Sequence, residues 1–311
     1  MLIPEFPDFV PISLELKKEL HPRLSLTADG VSEYTFSNLY LFRNRYNYRI
    51  SRYSPQNSAE IRDPGVIISG EREGKKFFMT PCAVPGRDVL EELFYTHDYW
   101  KGISDSVLAP YREELEQWGI AAAEDRDNFD YLYLRTDLAE LSGKKYHKKR
   151  NLVHAFLNAY RHDEMPLTAE RIPQALEVLD RWRTDKGVEG DYMAAREALE
   201  LFSVLKMRGR IYYVEGQPAA WCLGESLARG RMFTVHFEKA VDEYKGIYQY
   251  MNQSFAAVLP AYYTHINREQ DLGDEGLRQA KMTYRPCGFV RNYAALRPEP
   301  PRGQLNEKKS N

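Results

Sequence analysis

The same order of elements is written twice along this chain, and that repetition constrains the fold more than any single motif does. In the first half, the aromatic-rich helical stretch of FSNLYLFRNRYNYRIS gives way to alternating Tyr46, Tyr48 and Ile50, as in a strand with one buried face. GVIISGE and KKFFMTPCAV follow as strands separated by the turn Arg72-Glu73-Gly74. Residues 86–100 then form a helix with Val89, Leu90, Leu93 and Phe94 on one face, Tyr111 to Trp118 a second short helix, and FDYLYLR at 129–135 a strand. In the second half, helices at about 170–184 and 192–206 precede strands RIYYVE, QPAAWCLGESL and RMFTVHFE, joined by turns at Gly216 and Arg229-Gly230. A long helix with Ile247, Met251, Phe255, Val258 and Tyr262 on one stripe, a strand in THINRE and a last strand near 289–296 complete it. Helices interleave with strands in both halves, so the class is α+β with mixed sheets.

At 311 residues the chain has room for two cores. The expected division is a first domain at 1–142, a bridging helix and linker at 143–168, a second domain at 169–297, and a flexible proline- and charge-rich tail at 298–311. The bridging helix, 145–162, places Val153, Phe156, Leu157 and Tyr160 on one face, and Pro166 marks the boundary. No apolar run reaches about 18 residues, and MLIPEFPDFV lacks the pattern of a secretory signal, which leads to a cytoplasmic expectation. Cys82, Cys222 and Cys287 lie far apart without CxxC spacing and read as buried thiols, not as metal ligands.

Three stretches carry chemistry. In RMFTVHFEKA, alternation sends Phe233, Val235 and Phe237 to one face and Met232, Thr234, His236 and Glu238 to the other, so His236 and Glu238 can serve as a proton-transfer pair; a strand with a solvated polar face has the same spacing. In YYTHINREQDLGDEG the same rule groups His265, Asn267, Glu269 and Asp271. Buried charges of this kind need partners. Arg278 and Lys281, three residues apart on the next helix, can neutralise them or bind an anionic or carbonyl group; an Asp274–Arg278 surface pair is the plainer alternative. GKKYHKKR concentrates Lys144, Lys145, Lys148, Lys149 and Arg150 within a chain whose net charge is −2. That density suits phosphate backbones or anionic headgroups, and equally a solvated helix face. Walker, GxGxxG, HExxH, GxSxG and paired CxxC patterns are missing, which argues against nucleotide hydrolysis, NAD chemistry, zinc proteolysis and α/β-hydrolase chemistry.

Together, TFSNLYLFRNRYNY, GKKYHKKRNLVHAF, HFEKA, YKGIYQYMNQSFA and INREQDLGDEGLRQAKMTYRP resemble a bacterial family of unknown function related to the C-terminal domain of phosphatidylglycerol lysyltransferases, from Thr35 to Leu296. The resemblance implies two tandem GNAT-like N-acyltransferase folds, with the site in the second, and an aminoacyl-tRNA co-substrate whose amino acid passes to a lipid headgroup or another hydroxyl or amine. An acyl-CoA donor and a non-catalytic binding module are the alternatives. Acyl-CoA enzymes of this fold carry a Q/R-x-x-G-x-G/A loop, and the comparable stretch here reads EYKGIY, with Glu243 and Tyr248 at its first and last positions. On the leading, aminoacyl-tRNA reading, His236, Glu238, Asp271 and Lys281 are the catalytic candidates, and Glu238 or Asp271 takes a proton while Lys281 or Arg278 stabilises an oxyanion. Lys239, Asn267, Arg268, Glu269, Arg278 and Tyr284 are the substrate-binding candidates, the basic run meets tRNA, and a peripheral contact with anionic lipid at the inner membrane face is open.

Overall fold

The computed structural model describes residues 2–53, 65–187 and 189–296; the expected tail at 298–311 lies outside them. Two seven-stranded mixed sheets organise the chain. The first contains β1 (Val10–Pro11), β2 (Arg49–Tyr53), β3 (Gly65–Arg72), β4 (Lys75–Met79), β5 (Tyr99–Ser104) and β6 (Ala122–Glu124). The second contains β7 (Asp130–Leu134), β8 (His162–Pro166), β9 (Arg208–Val214), β10 (Gln217–Leu227), β11 (Met232–Ala240), β12 (His265–Asn267) and β13 (Gly288–Val290), and β14 (Asn292–Leu296) returns to the first sheet. The orders are β1-β2-β3-β4-β5-β14-β6 and β13-β7-β12-β11-β10-β9-β8. Only β4–β5 and β11–β12 pair in parallel among the described strands.

The chain divides into two compact units that are not consecutive in sequence. One is 1–11, 46–125 and 292–311; the other is 12–45 and 126–291. The expected boundary at 142 falls inside the second unit, because the aromatic strand β7 pairs with β12 and β13. The expected linker at 163–168 contains β8, whose residues pair with β9 from His162↔Val214 to Pro166↔Arg210. The last strand near 289–296 is two strands in different sheets.

Each unit has its own core. In the first, Phe78, Leu90, Leu93, Trp100, Ile103 and Leu115 are buried together, so Trp100 lies on β5 instead of ending a helix that stops at Thr96. In the second, Tyr131, Tyr133, Phe156, Tyr212, Phe233, Met251 and Phe255 form the cluster. Helix Ile247–Val258 supplies Ile247, Met251 and Phe255 as its spacing requires, whereas Val258 and Tyr262 are exposed. Of the three cysteines only Cys222 is buried; Cys82 and Cys287 are exposed, a correction to the expectation of three interior thiols.

Candidate functional site

β11 and β12 pair in parallel from Met232↔His265 to Thr234↔Asn267 and then part. Two local features separate them. The β10–β11 register slips between Leu223, opposite Phe237, and Gly224, opposite Val235, which leaves His236 as the extra residue of a bulge. Gly224 permits this close approach, since a Cβ there would lie 1.9 Å from the Thr234 carbonyl oxygen. On the other strand, pairing ends at Asn267 and Glu269 adopts a left-handed φ of 55°. The result is a fork with different chemistry on its two sides.

On one side, His236 lies between two carboxylates, with Nε2 3.0 Å from Glu225 and Nδ1 2.6 Å from Glu269. Burial acts to lower its pKa, but the hydrogen bonds to Glu225 and Glu269 outweigh it and push the value up to about 10. At neutral pH the ring is therefore an imidazolium that donates both protons. Asn38 also donates to Glu269, at 3.4 Å, from the wholly buried helix Phe36–Leu41, whose N-cap Thr35 accepts the Asn38 N–H. Behind this cluster, Asp130 accepts the Ser32 N–H and O–H at 2.7 and 2.9 Å and the Asn267 amide at 2.9 Å. Burial raises Asp130 to about 7 against the pull of those bonds.

On the other side, Glu238 accepts from Asn252 of helix Ile247–Val258 at 2.8 Å and pairs with Arg268. The Tyr284 ring bears two cations, with Lys149 Nζ 4.0 Å and the Arg268 guanidinium 5.1 Å from its centre. Burial and the nearby Arg268 lower Lys149 to about 8, and burial raises the Tyr284 hydroxyl to about 12. Asn252 is 6% exposed and its Oδ1 has no hydrogen-bond partner. Lys149 opens on a cleft of about 980 Å³ that Lys144, Lys145, Lys148 and Arg285 also line.

A third group fastens the loop beyond the fork. The buried Asp271 accepts from Arg278 at 2.8 and 2.9 Å, Tyr131 at 2.6 Å, Gly273 N–H at 3.0 Å and Arg126 at 3.3 Å. Burial alone would raise its pKa; these donors hold the carboxylate well below the usual range. Lys281 donates to the carbonyls of Arg268 at 2.7 Å, Glu269 at 3.1 Å and Gln270, and burial lowers it to about 8.

The sequence candidates are thus distributed, not pooled. The bulge puts His236 and Glu238 on opposite sides, so they form no proton-transfer pair. β12 stops at Asn267, so strand alternation does not carry Glu269 and Asp271 onto the face of His265 and Asn267. Arg278 binds Asp271 and Asp127, while Asp274 caps helix Glu275–Met282 by accepting the Leu277 N–H. Lys239 lies 2.6 Å from Asp191 and 3.7 Å from the Trp182 ring centre, with burial lowering its pKa. Arg150 folds back on the carbonyls of Leu141 and Gly143, and Lys145 pairs with Asp137 at 2.7 Å. Glu225, Asn38, Asp130, Asn252 and Tyr131 went unnoticed. For Glu225 the available signal was its place beside Gly224, the glycine opposite the bulge.

Two mixed sheets, one with a bulged strand parting from its parallel neighbour, define the fold, and the solved structures that match this chain share it. A crystal structure of a conserved protein of unknown function from Bacteroides thetaiotaomicron VPI-5482 matches with TM-score 0.81 at 29% identity, over 93% of this chain and 98% of that one. L-PGS from Bacillus licheniformis matches with TM-score 0.57 at 16% identity, over 96% and 95% of the two chains, and FemX with 0.58 at 8%, over 92% and 96%; at those identities only the fold is shared. An uncharacterised protein of Mycoplasmoides gallisepticum (strain R(low / passage 15 / clone 2)) is 26% identical over 175 residues, 53% of this chain, and the chain spans about half (54%) of that curated relative's length. The model of the family described as phosphatidylglycerol lysyltransferase, C-terminal, matches residues 24–296, and the chain belongs to that family. Among the described residues, no helix is long and apolar enough to cross a membrane.

Proposed function

We propose that the protein transfers an amino acid from aminoacyl-tRNA to a hydroxyl or amine acceptor, with a lipid headgroup the first acceptor to test because the family is named for lysyl transfer to phosphatidylglycerol. The observation that carries this reading is the cationic cleft: four lysines and Arg285 around about 980 Å³, joined through Lys149 and Tyr284 to the Glu238–Arg268 pair. A concave basic surface of that size matches a nucleic-acid end better than a flat bilayer, and its affinity is carried by phosphate contacts.

In this reaction the acceptor oxygen or nitrogen attacks the ester carbonyl carbon, its proton passes to the Glu238 carboxylate, and Glu238 returns that proton to the ribose oxygen as the ester C–O bond breaks. Arg268 and Lys149 stabilise the oxyanion. Asp271 is a poor proton acceptor because two arginines hold it ionised, and Lys281 is spent on backbone carbonyls. An acyl-CoA donor fits less well. The turn before helix Ile247–Val258 is closed by the chain itself: the Leu152 carbonyl oxygen lies 2.4 Å from where a Cβ on Gly246 would be. The test is incubation with total tRNA charged with labelled amino acids, in the presence and absence of phosphatidylglycerol vesicles. Accelerated loss of label from tRNA supports the proposal; loss no faster than in buffer for every amino acid overturns it.

A further inference from the structure

The first unit contains a second constellation, unrelated to the fork. Ser69 on β3 lies with Oγ 2.8 Å from His97 Nε2. The other ring nitrogen, Nδ1, faces the Leu93 carbonyl at 3.0 Å, and that same carbonyl accepts the His97 backbone N–H at 2.8 Å. Thr96 Oγ1 also lies 2.9 Å from Nδ1, and its own hydrogen is directed to the Glu92 and Leu93 carbonyls 3.2 Å away; with acceptors on that side, Nδ1 carries the proton and Nε2 presents its lone pair to the serine hydroxyl. Leu93 belongs to the last turn of helix Arg87–Thr96, whose carbonyl end favours the imidazolium that forms when His97 takes a proton. Burial lowers the pKa of His97, which favours its neutral, proton-accepting form. Its ring is held between Phe78, 5.6 Å away, and Phe9, 6.4 Å away. The pair lines a cavity of about 280 Å³ with Phe6 and Phe9 as an apolar wall, Arg49, which also donates to the Phe9 carbonyl, and Lys76 as its cations, and Glu71 and Glu92 as its carboxylates.

We infer that Ser69 and His97 are a nucleophile–base pair that hydrolyses small carboxylic esters with an apolar acyl or aryl group. Ser69 Oγ attacks the ester carbonyl and its proton moves to His97 Nε2. The alcohol leaves with that proton, giving an acyl-serine. Water, deprotonated by His97, then attacks the acyl-serine carbonyl, and the proton returns to Ser69 Oγ as the carboxylic acid departs. The Leu93 carbonyl takes the orienting place that a carboxylate fills in a Ser–His–Asp triad, and Arg49 and Lys76 provide positive charge for the oxyanion.

The full-length protein is treated with a fluorophosphonate probe and with p-nitrophenyl acetate near pH 7.5. Expected are a phosphonyl adduct mapped to Ser69 and ester hydrolysis above buffer. Both should be lost in Ser69→Ala at unchanged melting temperature, and labelling should slow at least about 100-fold in His97→Gln. Both signals are read without tRNA, so failure of the transferase proposal does not touch this one. A folded protein with no adduct on Ser69, or Ser69→Ala retaining the hydrolysis, overturns the inference.

Discussion

The two sides of the β11–β12 fork are built from the same strands and differ in what their charged groups face. On the His236 side both ring nitrogens, Glu225, Glu269 and Asn38 are all engaged with one another. On the Glu238 side a buried amide oxygen of Asn252 lacks a partner, and Lys149 lines a cleft. A closed network fixes geometry, because removing a member strands a buried charge. An open one retains capacity for a ligand. On the proposed function the fork separates a frame from a working face, and substitutions should sort accordingly.

The largest effects belong to the frame. Asp271→Ala leaves Arg126, Arg278 and Tyr131 without their shared acceptor, and stability should fall by about 3–5 kcal/mol, read as a loss of roughly 10 °C or more in thermal melting. A variant that melts like wild type but is inactive would move Asp271 to the working face. Next comes Glu238→Gln, which keeps shape and the Asn252 contact: melting should change little, while transfer falls about 100-fold or more. Equal loss of stability and activity would place Glu238 in the frame.

A pH series sharpens the same contrast. His236 is raised from 6.5 to about 10 in the folded protein, so its contribution is fully present below pH 6.5 and is lost as pH rises toward 10. The melting gap between wild type and His236→Gln should therefore be widest at pH 6 and narrow steadily to pH 10. A gap that widens with pH would show that His236 is neutral in the fold. The smallest expected change in stability, with a specific change in binding, is in the cleft. Lys144→Glu with Lys148→Glu should melt within about 1 kcal/mol of wild type. Its tRNA affinity should fall at least about tenfold, with a shallower salt dependence, in filter binding.

Much of the fold was legible because it rests on local pattern. β10 runs from Gln217 to Leu227 as its sequence segment suggested, and helix Ile247–Val258 follows its apolar stripe. What escaped were pairings set by distant residues: β7 and β14 each join a sheet far from their neighbours in sequence, which periodicity cannot report. The site failed for a sharper reason. Period-2 alternation assumes an unbroken strand, and one extra residue at His236 reverses the side on which Glu238 emerges. Likewise Glu269 at positive φ breaks the alternation that would have grouped Asn267 with Asp271. The basic run was visible at once, but that Arg150 turns inward while Arg285 joins the lysines depends on how two helices meet.

The most direct test of the division between frame and working face is single-turnover deacylation of mixed aminoacyl-tRNA by wild type, Glu238→Gln and Lys144→Glu/Lys148→Glu, each verified as folded by its melting curve. Wild type should release labelled amino acid well above the buffer rate, Glu238→Gln should bind tRNA but release label about 100-fold more slowly, and the double lysine variant should recover its rate at higher protein concentration. Identical release by all three proteins would contradict the assignment of chemistry to the Glu238 side of the fork.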